Sequence, residues 1–215
     1  MSGTAGTGDM SSTNYPDDTN GAGDTSTTGG DQGGVDPSPA RAELLRQIKD
    51  KAVVHGRVTL SSGAEADFYI DLRRVTLDGA SAPLVGQVML DATADLDYAA
   101  VGGLTLGADP VASAMLHAAA ARGQRLDAFV VRKAGKAHGL QQRIEGPDIA
   151  GRRVLIVEDT TTTGNSPLTA VEAAREAGAE VVAVATIVER SATEAIRAAG
   201  LPYVYPYDLA DIGLD

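Results

Sequence analysis

The chain has 215 residues, 43% of them hydrophobic but only 4% aromatic, and carries a net charge of −11 with no cysteine. Disulfides, thiolate metal sites and cysteine nucleophiles are therefore excluded, and the acidity argues against a general nucleic-acid surface. No apolar run approaches the roughly 20 residues that span a bilayer, and the N-terminus lacks the basic-then-apolar pattern of a secretory leader, so a cytoplasmic protein with no membrane and no nucleic-acid partner is expected.

Residues 1–37 are rich in Gly, Ser, Thr and Asp, with six Asp and no Lys, Arg or Glu. Such a segment cannot bury enough surface to offset its ordering entropy. It is expected to be a disordered acidic tail supplying −6 of the charge, which leaves −5 for a single domain at 38–215.

Ser38-Pro39 reads as a helix start, a capping hydroxyl followed by proline at the first helical position. Leu44, Leu45, Ile48 and Ala52 recur at helical spacing, and His55-Gly56 is expected to end that helix. Two short strands, 58–60 and 68–72, flank Ser61-Ser62-Gly63, with Arg73 and Arg74 following at once. Residues 83–94 read as an amphipathic helix with Leu84, Val85, Val88 and Met89 on its apolar side.

From Tyr98 onward strands and helices alternate. Strands are expected at 99–102, 126–131, 154–157 and 181–188, with a last one at 203–205. Helices are expected from Asp109-Pro110 to Arg122, from Asn165 or Ser166 as cap to Ala177-Gly178, and over 192–199. Residues 103–107 and 132–150 are expected to be loops. This alternation implies an α/β fold, a central mostly parallel sheet flanked by helices. Ligands of such sheets bind beyond the carboxyl ends of the strands. Residues 103–107, 132–138, 158–164 and 189–190 all fall there.

The stretch Val154-Leu-Ile-Val-Glu-Asp-Thr-Thr-Thr-Thr-Gly-Asn-Ser166 is the centre of the chain. A buried strand, two acids, a small polar loop and a helix N-terminus follow one another. The loop suits a phosphate, which backbone N–H groups and the positive end of a helix attract. Glu158 and Asp159 suit hydroxyls or a divalent cation, although two acids at a strand end are also a common solvated turn. Neither a nucleoside-triphosphate loop nor a dinucleotide fingerprint is present, so a monophosphate is the better match.

Arg132, Lys133, Lys136 and His138 fall within seven positions. In an acidic protein, with Gly135, Gly139 and Gly146 nearby, this run suits a mobile cationic lid over an anionic leaving group. Arg190 suits a planar carboxylate in bidentate fashion, or an ion pair with Glu189 or a helix end; Arg73 and Arg74 share that ambiguity. His117 is expected to be structural. Phe68 and Tyr69 are residue types more often found in a core than stacked on a ligand.

On these residues the chain resembles the type I phosphoribosyltransferases. Residues 154–166 resemble the family's signature for 5-phosphoribosyl 1-pyrophosphate (PRPP). Within the family, Arg132-Lys133-x-x-Lys136-x-His138-Gly139 is similar to the catalytic flexible loop of the orotate-specific branch. Leu60-Ser-Ser-Gly63 with Phe68-Tyr-Ile-Asp-Leu-Arg73 is similar to that branch's N-terminal orotate-binding hairpin. Arg190 stands at its orotate-contacting arginine. The resemblance covers about residues 40–210 and implies the family's fold, with a small N-terminal hood. It departs at Ser61 and Leu106, where lysine is frequent, and at Glu158, where aspartate is; Arg73 or Lys133 is the expected substitute for the missing cations.

The resemblance implies transfer of ribose 5-phosphate from PRPP to N1 of orotate, giving orotidine 5′-monophosphate and pyrophosphate in pyrimidine synthesis. The alternatives are transfer to a purine or to uracil, or a non-catalytic PRPP-sensing regulator. It further implies PRPP contacts from Arg132, Lys133, Lys136, His138, Glu158, Asp159, Thr160, Thr161, Thr162, Thr163, Gly164, Asn165 and Ser166. Orotate contacts are implied for Phe68, Tyr69, Arg73, Thr162 and Arg190, and catalytic roles for Lys136, His138 and Asp159. Mg2+ is implied as cofactor, held by pyrophosphate and water rather than by protein ligands, and a homodimer is implied in which each lid reaches the neighbour's site.

Overall fold

The computed structural model describes residues 38–59, 65–133 and 143–214. Ser38 caps α1 (Pro39–Lys51) as its sequence requires, its hydroxyl accepting from the Arg41 N–H at 3.3 Å. The helix stops at Lys51, earlier than His55-Gly56 suggests. Those two residues belong instead to β1 (Val53–Thr59), which pairs antiparallel with β2 (Glu65–Ile70). The pairing shifts between His55 and Val58, and Gly56 between them has φ 137°. A glycine at a strand irregularity explains the early break better than a helix C-cap does. Both strands begin several residues before their expected starts. The short helix α2 (Arg73–Thr76) follows the hairpin, and α3 (Ala82–Ala92) buries Val85, Val88 and Met89.

The main sheet runs β5-β4-β3-β6-β7-β8. It comprises β3 (Ala100–Leu104), β4 (Asp127–Val131), β5 (Ile144–Glu145), β6 (Arg153–Thr161), β7 (Glu180–Glu189) and β8 (Tyr203–Val204). All its pairings are parallel except β4 with β5. The two-residue β5 interrupts what the sequence presents as one long loop; it is too short to leave a periodic signal. The connecting helices are α4 (Ala108–Ala121), α5 (Asn165–Glu176) and α6 (Thr193–Ala198), with α7 (Leu209–Ile212) near the C-terminus.

Side chains of β6 alternate between two cores. Leu155 and Val157 face a cluster with Leu44, Ile48, Met89 and Met115, from α1, α3 and α4. Val154 and Ile156 face a cluster with Phe129, Val171, Ala174 and Ile196, which includes α5 and α6. This two-sided burial explains why the strand reads as a continuous apolar run. Helices α3 and α4 pack very closely. A Cβ at Gly86 would overlap the Ala114 carbonyl and lie 2.9 Å from Ala118 Cβ. The C-terminal segment is tied to α1: the Tyr207 hydroxyl donates to the Arg41 carbonyl at 2.7 Å, and the Arg41 guanidinium donates to the Pro206 carbonyl.

Candidate active site

Parallel pairing puts the C-terminal ends of β3, β4, β6 and β7 on one edge, and a cleft of about 290 Å³ opens there. Its walls come from five segments. The hood supplies Tyr69, Asp71 and Arg73; β3 supplies Leu104 and the residues 105–107 beyond it; Lys133 follows β4. Strand β6 and its helix supply Glu158, Asp159, Thr160 and Ser166, and Arg190 follows β7.

Glu158 and Asp159 lie inside β6 rather than after it. The strand continues to Thr161, with Glu158 opposite Thr186 and Thr161 opposite Glu189 on β7. The apolar run ends at Val157, so strand geometry beyond it is set by the neighbour and not by composition. The Glu158 side chain is buried, 4% exposed. Burial, then the charge of Asp159, pushes its carboxyl up to about 8. Asp159 is also raised, chiefly by burial, against the pull of the Thr160 N–H that it accepts at 2.7 Å. Burial thus favours the protonated form of both carboxyls.

The threonine loop is internally braced. The Thr160 hydroxyl donates to the Val188 carbonyl at 2.9 Å, and the Thr161 hydroxyl accepts from the Gly164 N–H at 3.1 Å. Thr162 and Thr163 are exposed. Gly164, at φ 77°, is the residue before α5, and Asn165 is already helical. Neither Asn165 nor Ser166 is therefore the cap; the left-handed backbone that glycine permits makes the entry instead. Ser166, in the first turn of α5, and Thr160 line the cleft, whereas Thr161, Thr162, Thr163, Gly164 and Asn165 do not; a helix N-terminus beside the cleft suits an anion.

Arg190 is half-buried, and its Nε has no hydrogen-bond partner among the described residues. Burial pulls its guanidinium below the usual arginine value, while Tyr69 and Asp159 nearby favour the charge. Glu189 is not its partner. That carboxylate instead accepts from the Ser191 and Thr193 N–H groups, at 2.6 and 3.2 Å. Arg73 donates to Asp71 at 2.9 Å and to the Tyr69 hydroxyl at 3.2 Å, a brace in which Asp71 is a residue the sequence reading did not single out. Tyr69 lines the cleft, whereas Phe68 packs against the core cluster. Arg132 sits at the base of the β4–β5 hairpin, 3.3 Å from Glu145, and Lys133 is exposed at the cleft. Lys136 and His138 lie outside the described residues.

The loop 105–107 is held at Thr105. The Thr105 N–H donates to the Val131 carbonyl at 2.8 Å, and its hydroxyl donates to Asp109 Oδ2 at 2.7 Å. Outside this loop lies a second, apolar hollow of about 680 Å³ lined by Leu77, Pro83, Leu106, Pro110, Ala114 and His117 among others. Leu77 and Leu106 are 67% and 59% exposed, and His117 is exposed there rather than enclosed in the core. Leu106 borders both cavities.

Residues 100–199 match the phosphoribosyl transferase domain family. The orotate phosphoribosyltransferase of Streptomyces avermitilis is 76% identical over 178 residues, 81% of this chain and 98% of that protein. That of Corynebacterium glutamicum is 63% identical over 178 residues, 82% of this chain and 95% of that protein. The crystal structure of the Mycobacterium tuberculosis orotate phosphoribosyltransferase in complex with PRPP superposes with a TM-score of 0.72 at 54% identity, covering 82% of this chain and all of that one.

Proposed function

Because this chain belongs to the orotate phosphoribosyltransferase family, we infer that its cleft joins PRPP to orotate. The enzyme transfers ribose 5-phosphate to N1 of orotate, forming orotidine 5′-monophosphate and releasing pyrophosphate in pyrimidine synthesis. The observation that carries the reading is the meeting in one cleft of Glu158 and Asp159 with Arg190, whose Nε has no partner among the described residues. Acids suit ribose hydroxyls, and a half-buried guanidinium suits the orotate carboxylate.

The chemistry follows from the placement of charge. The threonine loop and the start of α5 take the 5-phosphate and anchor the donor far from the reacting carbon, which converts binding into orientation. Glu158 and Asp159 hold the ribose hydroxyls. As the anomeric C–O bond breaks, its electron pair leaves with pyrophosphate and positive charge grows on the ribose. Asp159 lies within reach to balance that charge, and Arg73 and Lys133 face the leaving anion. The N1 electron pair of the orotate anion forms the new C–N bond from the opposite face, so no strong protein base is needed. Lys136 and His138 are proposed to close over the leaving group, by family resemblance. Catalysis is then chiefly electrostatic stabilisation in a site shielded from water.

Magnesium fits this donor set. Among the described residues no group of three acidic or histidine side chains could hold a metal alone. Pyrophosphate oxygens and water would supply its ligands, as Mg2+ prefers, with Glu158 and Asp159 adding negative charge beside them. When bound, the ion neutralises pyrophosphate charge. A homodimer is part of the same proposal: exposed Leu77 and Leu106 beside an apolar hollow support burial against a second copy, each lid then serving the neighbouring cleft. No described helix is long and apolar enough to cross a membrane. A cytoplasmic enzyme with its catalytic domain at 38–215 completes the proposal; residues 1–37 lie outside the described residues.

The test is direct. With PRPP and Mg2+, the protein is expected to consume orotate and release pyrophosphate. Turnover of adenine, hypoxanthine or uracil in place of orotate would overturn the reading.

A further inference from the structure

We propose that Asp109 is a positioning residue for the donor: through the Thr105 hydroxyl it holds the loop 105–107 in the shape that receives the pyrophosphate end of PRPP. The proposal rests on the transferase reading and adds a residue to it that touches no substrate.

The loop forms one wall of the cleft and touches the two acids at Gly107. Leu104, Thr105, Leu106 and Gly107 all line the cleft, whereas Asp109 does not. No lysine or arginine occurs between Gly102 and Arg122, so this wall has no side-chain cation to offer a pyrophosphate. Its contribution must come from the backbone N–H groups beyond Thr105, and such groups work only when the backbone is held in place. Two contacts hold it. One is main-chain, from Thr105 N–H to the Val131 carbonyl at 2.8 Å; the other is the charge-assisted bond from the Thr105 hydroxyl to Asp109 Oδ2 at 2.7 Å. At the far end of the loop, Gly107 is pressed against the carboxylates of Glu158 and Asp159. A shift of the loop is therefore felt at once by the groups that hold the ribose.

Asp109 is suited to act as an anchor. It lies in the first turn of α4, where the positive end of the helix favours a carboxylate. Its other oxygen, Oδ1, is buried and has no hydrogen-bond partner among the described residues. An ordinary buried structural acid has both oxygens satisfied; here one is committed to the loop and the other is left without a donor. The Asp109 charge also contributes to raising the Glu158 carboxyl. One side chain thus bears on both walls of the donor site.

The test uses the full-length protein and steady-state kinetics in which PRPP and orotate are varied separately, with thermal melting as a check on folding. Thr105→Val and Asp109→Ala are each expected to raise the KM for PRPP by about tenfold or more, the scale of loss that follows misplacement of a site wall. The KM for orotate stays within about twofold of wild type, because Arg190 is untouched. Thr105→Ser, which keeps the hydroxyl, restores wild-type kinetics. The double variant Thr105→Val/Asp109→Ala is no worse than the more severe single variant, since both remove one bond. A folded Thr105→Val with unchanged KM for PRPP would overturn the proposal, as would additive losses in the double variant or equal rises in both KM values. Failure of the wild-type protein to turn over orotate would instead remove the underlying transferase reading.

Discussion

Gly107 and Glu158 meet with no room between them: a Cβ on Gly107 would collide with Oε1 of Glu158 and would lie 2.9 Å from Oδ1 of Asp159. The loop after β3 and the acidic end of β6 are therefore in close contact through the ends of two carboxylate side chains. Gly107→Ala is expected to turn those carboxylates aside with little change in stability, and misplacing the ribose contacts lowers kcat/KM by about two orders of magnitude. Gly79, which has nothing within 4 Å of its would-be Cβ, is the control: Gly79→Ala leaves both quantities near wild type in denaturation and rate measurements.

Glu158 makes stability depend on pH in a definite direction. Its carboxyl is raised from 4.5 to about 8 by burial and by the charge of Asp159. The folded protein thus binds a proton that the unfolded chain releases. The stabilising effect is fully present below about pH 4.5 and is lost as pH rises through about 8, with a slope of up to about 1.4 kcal/mol per pH unit for one proton. Glu158→Gln removes this contribution. Denaturant titrations between pH 5 and pH 9 should show the wild type losing stability relative to the variant; parallel curves would mean that Glu158 is ionised throughout. Binding of Mg2+ and PRPP is likewise expected to release a proton, seen as a dependence of binding heat on the buffer.

Arg190 reports on the acceptor rather than the donor. With its Nε unpartnered among the described residues and Glu189 engaged elsewhere, its removal breaks no ion pair among those residues, so the fold is expected to survive. Loss of a charged hydrogen bond is worth about 1.5–3 kcal/mol, which corresponds to a rise of about 10- to 100-fold in the KM for orotate. Arg190→Ala should show that rise while the KM for PRPP stays near wild type. Arg190→Lys recovers part of the loss, since it restores charge without the fork. Equal effects on both substrates would take Arg190 out of the acceptor site.

Leu77 tests the second copy. It is 67% exposed on the rim of the apolar hollow and is not among the residues lining the cleft. Leu77→Glu places a charge on the proposed interface, whose burial would be costly. Sedimentation is expected to show a dimer for the wild-type protein and a shift toward monomer for the variant. With the lid then deprived of its neighbouring cleft, turnover falls with it. A variant that sediments as the wild type does would move the interface elsewhere.

What the sequence determined by itself was the alternation of strands and helices, and with it the edge on which ligands gather. Apolar runs such as residues 154–157, the Ser38-Pro39 start of α1 and the glycines at the ends of helices are local signals, written within a few residues of where they act. The residues that line the cleft at the strand ends, such as Glu158, Asp159 and Arg190, were legible for the same reason. Tertiary structure decided where the strands stop and how the acids behave. Strand β6 runs on through Glu158 to Thr161 because β7 pairs with it there, although the apolar pattern has already ended and only the β-branched threonines favour a strand. Helix α1 yields to β1 before His55-Gly56 because β2 lies alongside. The elevation of Glu158, the constraint at Gly107 and the hold of Asp109 on Thr105 all arise between segments separated in the chain or by a turn in the backbone. Burial and pairing of polar groups are properties of neighbours in space, and the edge assembled by the sheet is what makes neighbours of them.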